Sequence, residues 1–202
     1  MKETIIKVPG SCGELVQGMM NGDEFLISCP IDVYSKVYIK ISKNEKNKNT
    51  VKIDKSLVKA RKAAYKVLNY YNKESLEIEI KIESSLLKGK GMGSSTADIV
   101  GVIAGVMNSL HNDIDLNLIK KIALSIEPTD CTFLSGINIF DHIQGNKEVN
   151  LGDPLPIDIL IFSEEGEIDT VDFNRNRELY ALKPEKESMV KKAVDLVKEG
   201  IK

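Results

Sequence analysis

The chain has no tryptophan, two histidines and three cysteines among its 202 residues. Each shortage excludes a class of chemistry. With only His111 and His142, no multi-histidine metal centre can be built. Cys12, Cys29 and Cys131 are widely spaced, odd in number and without a Cys-x-x-Cys pair. They define neither a disulfide framework nor a structural zinc site. Cys12 has no histidine near it in sequence to activate it, so it reads as a small structural thiol. No sign of charge dominates: 28 basic and 30 acidic residues leave a net charge of −2, which offers no field for nucleic acid. The lysine-rich tract Lys43–Lys48 is interrupted by Glu45 and asparagines and carries no aromatic side chain to stack on bases. Long hydrophobic runs are also missing. Ile99–Met107 is too short to cross a bilayer and is broken by glycines, and Met1–Ile6 lacks a signal-peptide core. A cytoplasmic protein that binds neither membrane nor nucleic acid is expected, its chemistry resting on carboxylates, hydroxyls, lysines, backbone amides and a borrowed cofactor.

What is present is an ordinary globular composition, 42% hydrophobic and 29% charged, with strand and helix signals mixed. Thr4–Val8 reads as a strand stopped by Pro9-Gly10, with further strands at Glu24–Cys29 and Val33–Ile41. Ser56–Asn72 carries apolar residues at helical spacing. Leu76, Ile78, Ile80 and Ile82 alternate with charge, the period of a half-buried strand. Ala97–Leu110 is apolar nearly all round, the mark of a buried helix. Asp115–Ser125 reads as a helix with Asp115 as its cap. Ile137–Phe140 and Ile157–Phe162 read as strands, and Lys186–Lys198 as an amphipathic helix. Without regular strand–helix alternation, the class is α+β rather than a doubly wound sheet. A boundary is expected near Gly152–Pro156, dividing residues 1–155 from 156–202. The second piece is near the lower size limit for an independent core, so apolar surface at Ile157–Phe162 or the last helix should stay exposed and favour self-association, such as a homodimer.

The strongest local feature runs from Leu87 to Thr96: Leu87, Lys88, Gly89, Lys90, Gly91, Met92, Gly93, Ser94, Ser95, Thr96. A strand leads in and a buried helix leads out. Glycines let the backbone approach a phosphate, and the helix N-terminus adds unpaired amides with a partial positive charge. The lysines supply mobile positive charge, and the three hydroxyls can reach phosphate oxygens or Mg2+. It is not a Walker loop, because no Gly-Lys-[Ser/Thr] lies at the required spacing. Nor does it have the spacing of a dinucleotide fingerprint. The competing reading is a tight loop whose hydroxyl only caps a helix.

Lys90-Gly91-Met92-Gly93-Ser94-Ser95-Thr96-Ala97 resembles the phosphate loop of the GHMP kinase superfamily. Pro9-Gly10-Ser11-Cys12-Gly13-Glu14-Leu15-Val16-Gln17-Gly18 resembles that superfamily's first motif. With Ser28-Cys29-Pro30-Ile31-Asp32 and Glu127-Pro128-Thr129-Asp130, the pattern is most similar to the L-threonine kinases of cobalamin synthesis. The resemblance covers roughly residues 4–165. It implies an α+β fold like the second domain of ribosomal protein S5, containing a left-handed βαβ unit, with a ferredoxin-like second lobe. It implies ATP and Mg2+ as cofactors and a small-molecule substrate whose hydroxyl accepts the phosphoryl group. It also implies Asp130 as the acceptor-activating carboxylate and Ser95 with Glu127 as metal ligands. Glu14, Gln17 and Asp32 are candidates to contact acceptor or nucleotide, or serve only the turns around Pro and Gly. His142 reads as a surface-loop residue. The family's third glycine-rich motif has no counterpart up to Lys202. The alternatives are therefore a kinase for another small alcohol, such as homoserine, or a catalytically incomplete nucleotide-binding protein.

Overall fold

A computed structural model describes residues 3–46, 48–111, 113–154, 156–162, 165–166, 182 and 184–202. Two long strands form its spine, β1 (Glu3–Met20) and β2 (Asp23–Lys43), paired antiparallel along their whole length. Asn21-Gly22 joins them, both residues at positive φ, as a two-residue hairpin turn matched to strand twist requires. The other edge of β2 is shared. Its C-terminal part pairs β4 (Leu76–Ser84) from Ser35 to Lys43, and its N-terminal part pairs β5 (Ile137–Phe140) at Leu26 and Ile27. The sheet is completed by β3 (Thr50–Lys52), parallel to β4, and by β6 (Glu148–Gly152), antiparallel to β5.

Helices cover both faces. Ala60, Ala63, Ala64, Val67 and Leu68 form the buried stripe of α1 (Val58–Tyr70), which carries the chain between the parallel strands β3 and β4. In α2 (Ser94–His111) every residue from Thr96 to Met107 is buried, because sheet, α1 and α3 surround it. In α3 (Leu116–Leu124) the Asp115 carboxylate accepts from the Asn117 and Leu118 amides, as expected of an N-cap. Strand alternation sends Ile137 and Ile139 to the opposite face, where with Phe25, Ile27 and Val16 they meet Val194 of α4 (Glu187–Ile201). The 3-10 turn Pro184–Lys186 leads into that helix.

The α2 glycines set the approach of helix to sheet. A Cβ at Gly101 would stand 2.5 Å from Val37 Cγ2, and one at Gly105 would stand 2.6 Å from Ile39 Cγ1. Both partners are core residues of β2. Gly101→Ala should therefore lower the unfolding free energy by about 1–3 kcal/mol through overpacking, despite alanine's better helix propensity. Urea unfolding checks this; a variant more stable than its parent would overturn it.

Several expectations change. The strand at Thr4–Val8 does not stop at Pro9-Gly10 but runs on to Met20 through three register shifts. Glu24–Cys29 and Val33–Ile41 are one strand. Pro30 lies inside it where neither β4 nor β5 pairs with β2, between Ile27 and Ser35, and where β1 meets it at Ser11 between two register shifts, the kind of irregular position at which a strand admits proline. Ile157–Phe162 is not a strand: among the described residues no sheet edge pairs with it, and Phe162 is 85% exposed. His142 is not on the surface but 1% exposed, and the amide of Thr129 donates to its carbonyl.

Candidate active site

The chain leaves β4 at Ser84, and α2 begins at Ser94. Between them Gly89, Gly91 and Gly93 all adopt positive φ, at 66°, 69° and 63°, a conformation disfavoured for residues with a Cβ. Leu86 and Met92 are buried and anchor the loop on the core. The backbone between them is thereby presented to a cleft of about 600 Å³. The first intrahelical bond of α2 is Ala97 N–H to Gly93 O, 2.9 Å. The amides of Ser94, Ser95 and Thr96 therefore lack intrahelical acceptors, and they lie at the positive end of an 18-residue helix.

β1 supports the loop from beneath. Its register shifts fall between Pro9 and Val16, and bulges of this kind re-aim a strand beside a site. Here they turn the Ser11 amide onto Met92 O at 3.0 Å and the Gly13 amide onto Gly91 O at 3.1 Å. The two glycine-rich segments are thus tied backbone to backbone. Gly10 admits the contact, since a Cβ there would stand 2.7 Å from Met92 O.

The opposite wall is the start of α1, Ser56–Ala60, with Glu127, Pro128 and Asp130 beyond α3. Glu127 is 3% exposed. One of its oxygens accepts from Lys59 Nζ at 2.5 Å and the other from the Ser95 hydroxyl. Asp130 lies against Gly93: a Cβ on that glycine would stand 2.7 Å from Asp130 Oδ2. Burial, then the nearby charges of Glu14 and Glu127, push the Asp130 carboxyl up to about 7. Its amide donates to Thr96 Oγ1 at 3.3 Å. Glu14 is exposed along much of its side chain, yet it lines the cleft, and local burial pushes its carboxyl up. Asp98 is buried on α2, accepts from Ser35 Oγ at 2.6 Å, and is also raised by burial.

The fold brings together Lys88, Gly89, Gly91, Met92, Gly93, Ser94, Ser95, Thr96, Glu127, Asp130 and Glu14 around this one cleft. Four candidates, Leu87, Lys90, Gln17 and Asp32, lie off its lining. Leu87 is exposed and off the cleft lining. Gln17 points to His142, with Nε2 to Nε2 at 3.4 Å. Asp32 lines a second cavity, with Cys29, Pro30 and Thr132. In β1 the bulges change which side chains face the loop, so membership of one motif does not place Gln17 beside Glu14. The ammonium of Lys90 donates to Gly166 O at 2.6 Å. Lys59 and Asp98 belong to the site's surroundings without having carried a sequence signal, and Ser11 stands in the sequence only as part of the first motif, with no role of its own. The hydroxyl of Ser11 is buried close to Gly93 and, among the described residues, has no hydrogen-bond partner.

The donors suit a hard cation. Glu127 and Ser95 present a carboxylate and a hydroxyl in contact, at the first turn of α2, which is an oxygen set that Mg2+ accepts. Among the described residues no group of three or more His, Cys, Asp or Glu forms a cage of its own. A cation held here would need further oxygens from water or a ligand to complete its shell.

Comparison with known proteins agrees with this geometry. Residues 56–140 match the family described as the GHMP kinases N terminal domain. An L-threonine kinase of Salmonella typhimurium is 32% identical over 174 residues, covering 85% of this chain and 55% of that protein. An L-threonine kinase of Citrobacter freundii is 29% identical over the same length, covering 58% of that protein. The chain thus spans about half the length of the curated relatives it matches. Among solved structures, the mevalonate kinase of Methanococcus jannaschii superposes with a TM-score of 0.65 at 17% identity, over 96% of this chain and 73% of that one; this likeness speaks for the fold alone. The segment 56–140 is thus similar to the N-terminal domain of the GHMP kinases, and the chain as a whole to the two L-threonine kinases.

Proposed function

We propose that this chain binds ATP in the cleft and transfers its γ-phosphoryl group to the hydroxyl of a small molecule, L-threonine. The observation that carries the reading is the place of Asp130, buried in the cleft against the last glycine of the loop, where burial pushes its carboxyl up to about 7. Phosphoryl transfer to an alcohol needs a positioned phosphate, charge neutralisation and a group to orient or deprotonate the acceptor. The loop amides and the α2 N-terminus hold the phosphates, with Lys88 beside them. Ser95 and Glu127 would hold Mg2+, which when bound supplies neutralisation of phosphate charge. Asp130 takes the acceptor's hydroxyl proton, and a base that titrates near the operating pH is suited to that transfer. Glu14, at the same cleft, contacts the acceptor. L-threonine is supported by the two relatives of that name, similar over 85% of this chain. O-phospho-L-threonine would then serve cobalamin synthesis, as that resemblance implies, with residues 156–202 contributing to a second lobe.

The test is ADP release from Mg-ATP by the purified chain, with and without L-threonine, paired with calorimetric titration of ATP. Binding of ATP and turnover that appears only with threonine is the expected result. ATP binding with turnover on homoserine alone would change the acceptor. No ATP binding would overturn the reading itself.

A further inference from the structure

Lys59 carries no motif and was not singled out by the sequence, yet it holds the one carboxylate best placed for a metal. It sits in the first turn of α1, its side chain 41% exposed and its ammonium on the nearly inaccessible Glu127 carboxylate. With Ser95 on the other oxygen, both acceptors of Glu127 are occupied by groups of the protein itself. A buried carboxylate without such partners would be strongly disfavoured. Lysine is a compact charge on a flexible stem, and this stem is half in solvent and can swing. It also lines the same cavity as Lys88 and the stretch from Gly91 to Thr96. A divalent cation on Glu127 would displace the ammonium. The nearest strong anion left for it would then be a phosphate group over the α2 N-terminus.

We propose that Lys59 is an exchangeable counter-ion: it occupies Glu127 in the free cleft and passes to the nucleotide phosphates when a divalent cation takes Glu127. The inference rests on the nucleotide reading of the cleft. It predicts two effects of opposite sign when the charge is removed. Nucleotide should bind more weakly, because a cation near its phosphates is lost. A divalent cation should bind the nucleotide-free protein more tightly, because its competitor is gone. A static surface ion pair on α1 would weaken neither ligand.

The experiment compares wild type, Lys59→Met, Lys59→Gln and Lys59→Arg, each first confirmed folded by circular dichroism and melting. ATP is titrated calorimetrically in EDTA and in Mg2+, and Mn2+ binding without nucleotide is read from the free-ion paramagnetic resonance signal. Removing the charge should weaken ATP about tenfold in Mg2+, the scale of one hydrogen bond to a charged group, with a smaller loss in EDTA, where the ammonium stays on Glu127, and should strengthen Mn2+ several-fold. Arg should restore most of the ATP affinity. Unchanged ATP binding, or Mn2+ binding unchanged or weakened in both neutral variants, overturns the exchange. If wild type itself binds no nucleotide in either buffer, the cleft reading falls and the inference with it.

Discussion

Asp130→Asn should remove nearly all turnover while making the ligand-free protein more stable at pH 8. The loss follows from the role: an amide keeps the shape and cannot take the acceptor's proton, and general-base catalysis is worth about a hundredfold to ten-thousandfold. ATP affinity should change little, because the phosphates are held by the loop and α2. The gain in stability follows from linkage. The Asp130 carboxyl moves from an ordinary 3.8 to about 7 on folding, so between those values the native state binds more protons than the unfolded chain. Its contribution to stability is present below pH 4 and is lost as pH rises through 7. At pH 8 the buried charge then opposes folding by about 4 kcal/mol, and asparagine removes it. Denaturant unfolding of parent and variant at pH 4 and pH 8 should show the gap opening only at the higher pH. A variant as active as its parent would end the catalytic role; one no more stable at pH 8 would show that the carboxyl is not raised. Wild-type turnover should rise with pH through about 7 for the same reason.

Parts of this site were legible in the sequence because their signals are local. Glycines on alternate positions before an apolar helix specify a loop with positive φ and a free helix N-terminus, and Gly89, Gly91 and Gly93 adopt it. The charge alternation of Leu76–Ile82 names a half-buried strand, and β4 is that strand. Asn21-Gly22 was an equally local hairpin signal, and reading it would have joined β1 to β2 at once. Other features are set by tertiary partners. Whether Pro30 breaks a strand depends on which neighbours pair beside it. Ile157–Phe162 has the composition of a strand and, among the described residues, no edge to pair with. Lys59 and Glu127 are 68 residues apart, and nothing near Lys59 announces the pair. The two glycine motifs could be recognised separately, but their bonding through Ser11 and Gly13 follows from bulges in β1 that no composition rule foretells. His142, expected in a surface loop, is buried because that loop folds inward under Thr129.

The loop glycines allow the geometry of the site to be separated from backbone strain. Gly93→Ala should weaken ATP binding and turnover by more than tenfold, and by far more than Gly91→Ala. Both glycines have positive φ, 63° and 69°, so alanine at either place carries a similar backbone penalty of about 1–2 kcal/mol. Their surroundings differ. A methyl at Gly91 meets nothing within 4 Å, whereas one at Gly93 would lie 2.7 Å from Asp130 Oδ2 and 3.1 Å from Ser11 Oγ. It must push back the Asp130 carboxylate, the glycine loop, or both, which the proposed reaction needs side by side. Displacing a reacting group by about 1 Å can cost about a hundredfold in rate. Nucleotide titration and steady-state turnover of the two variants, side by side, measure the difference. Equal losses would assign the effect to φ alone and remove Gly93 from any role in spacing Asp130 from the phosphates. A large loss at Gly93 with Gly91→Ala near wild type would show that the missing Cβ is what lets the base and the phosphate loop share one site.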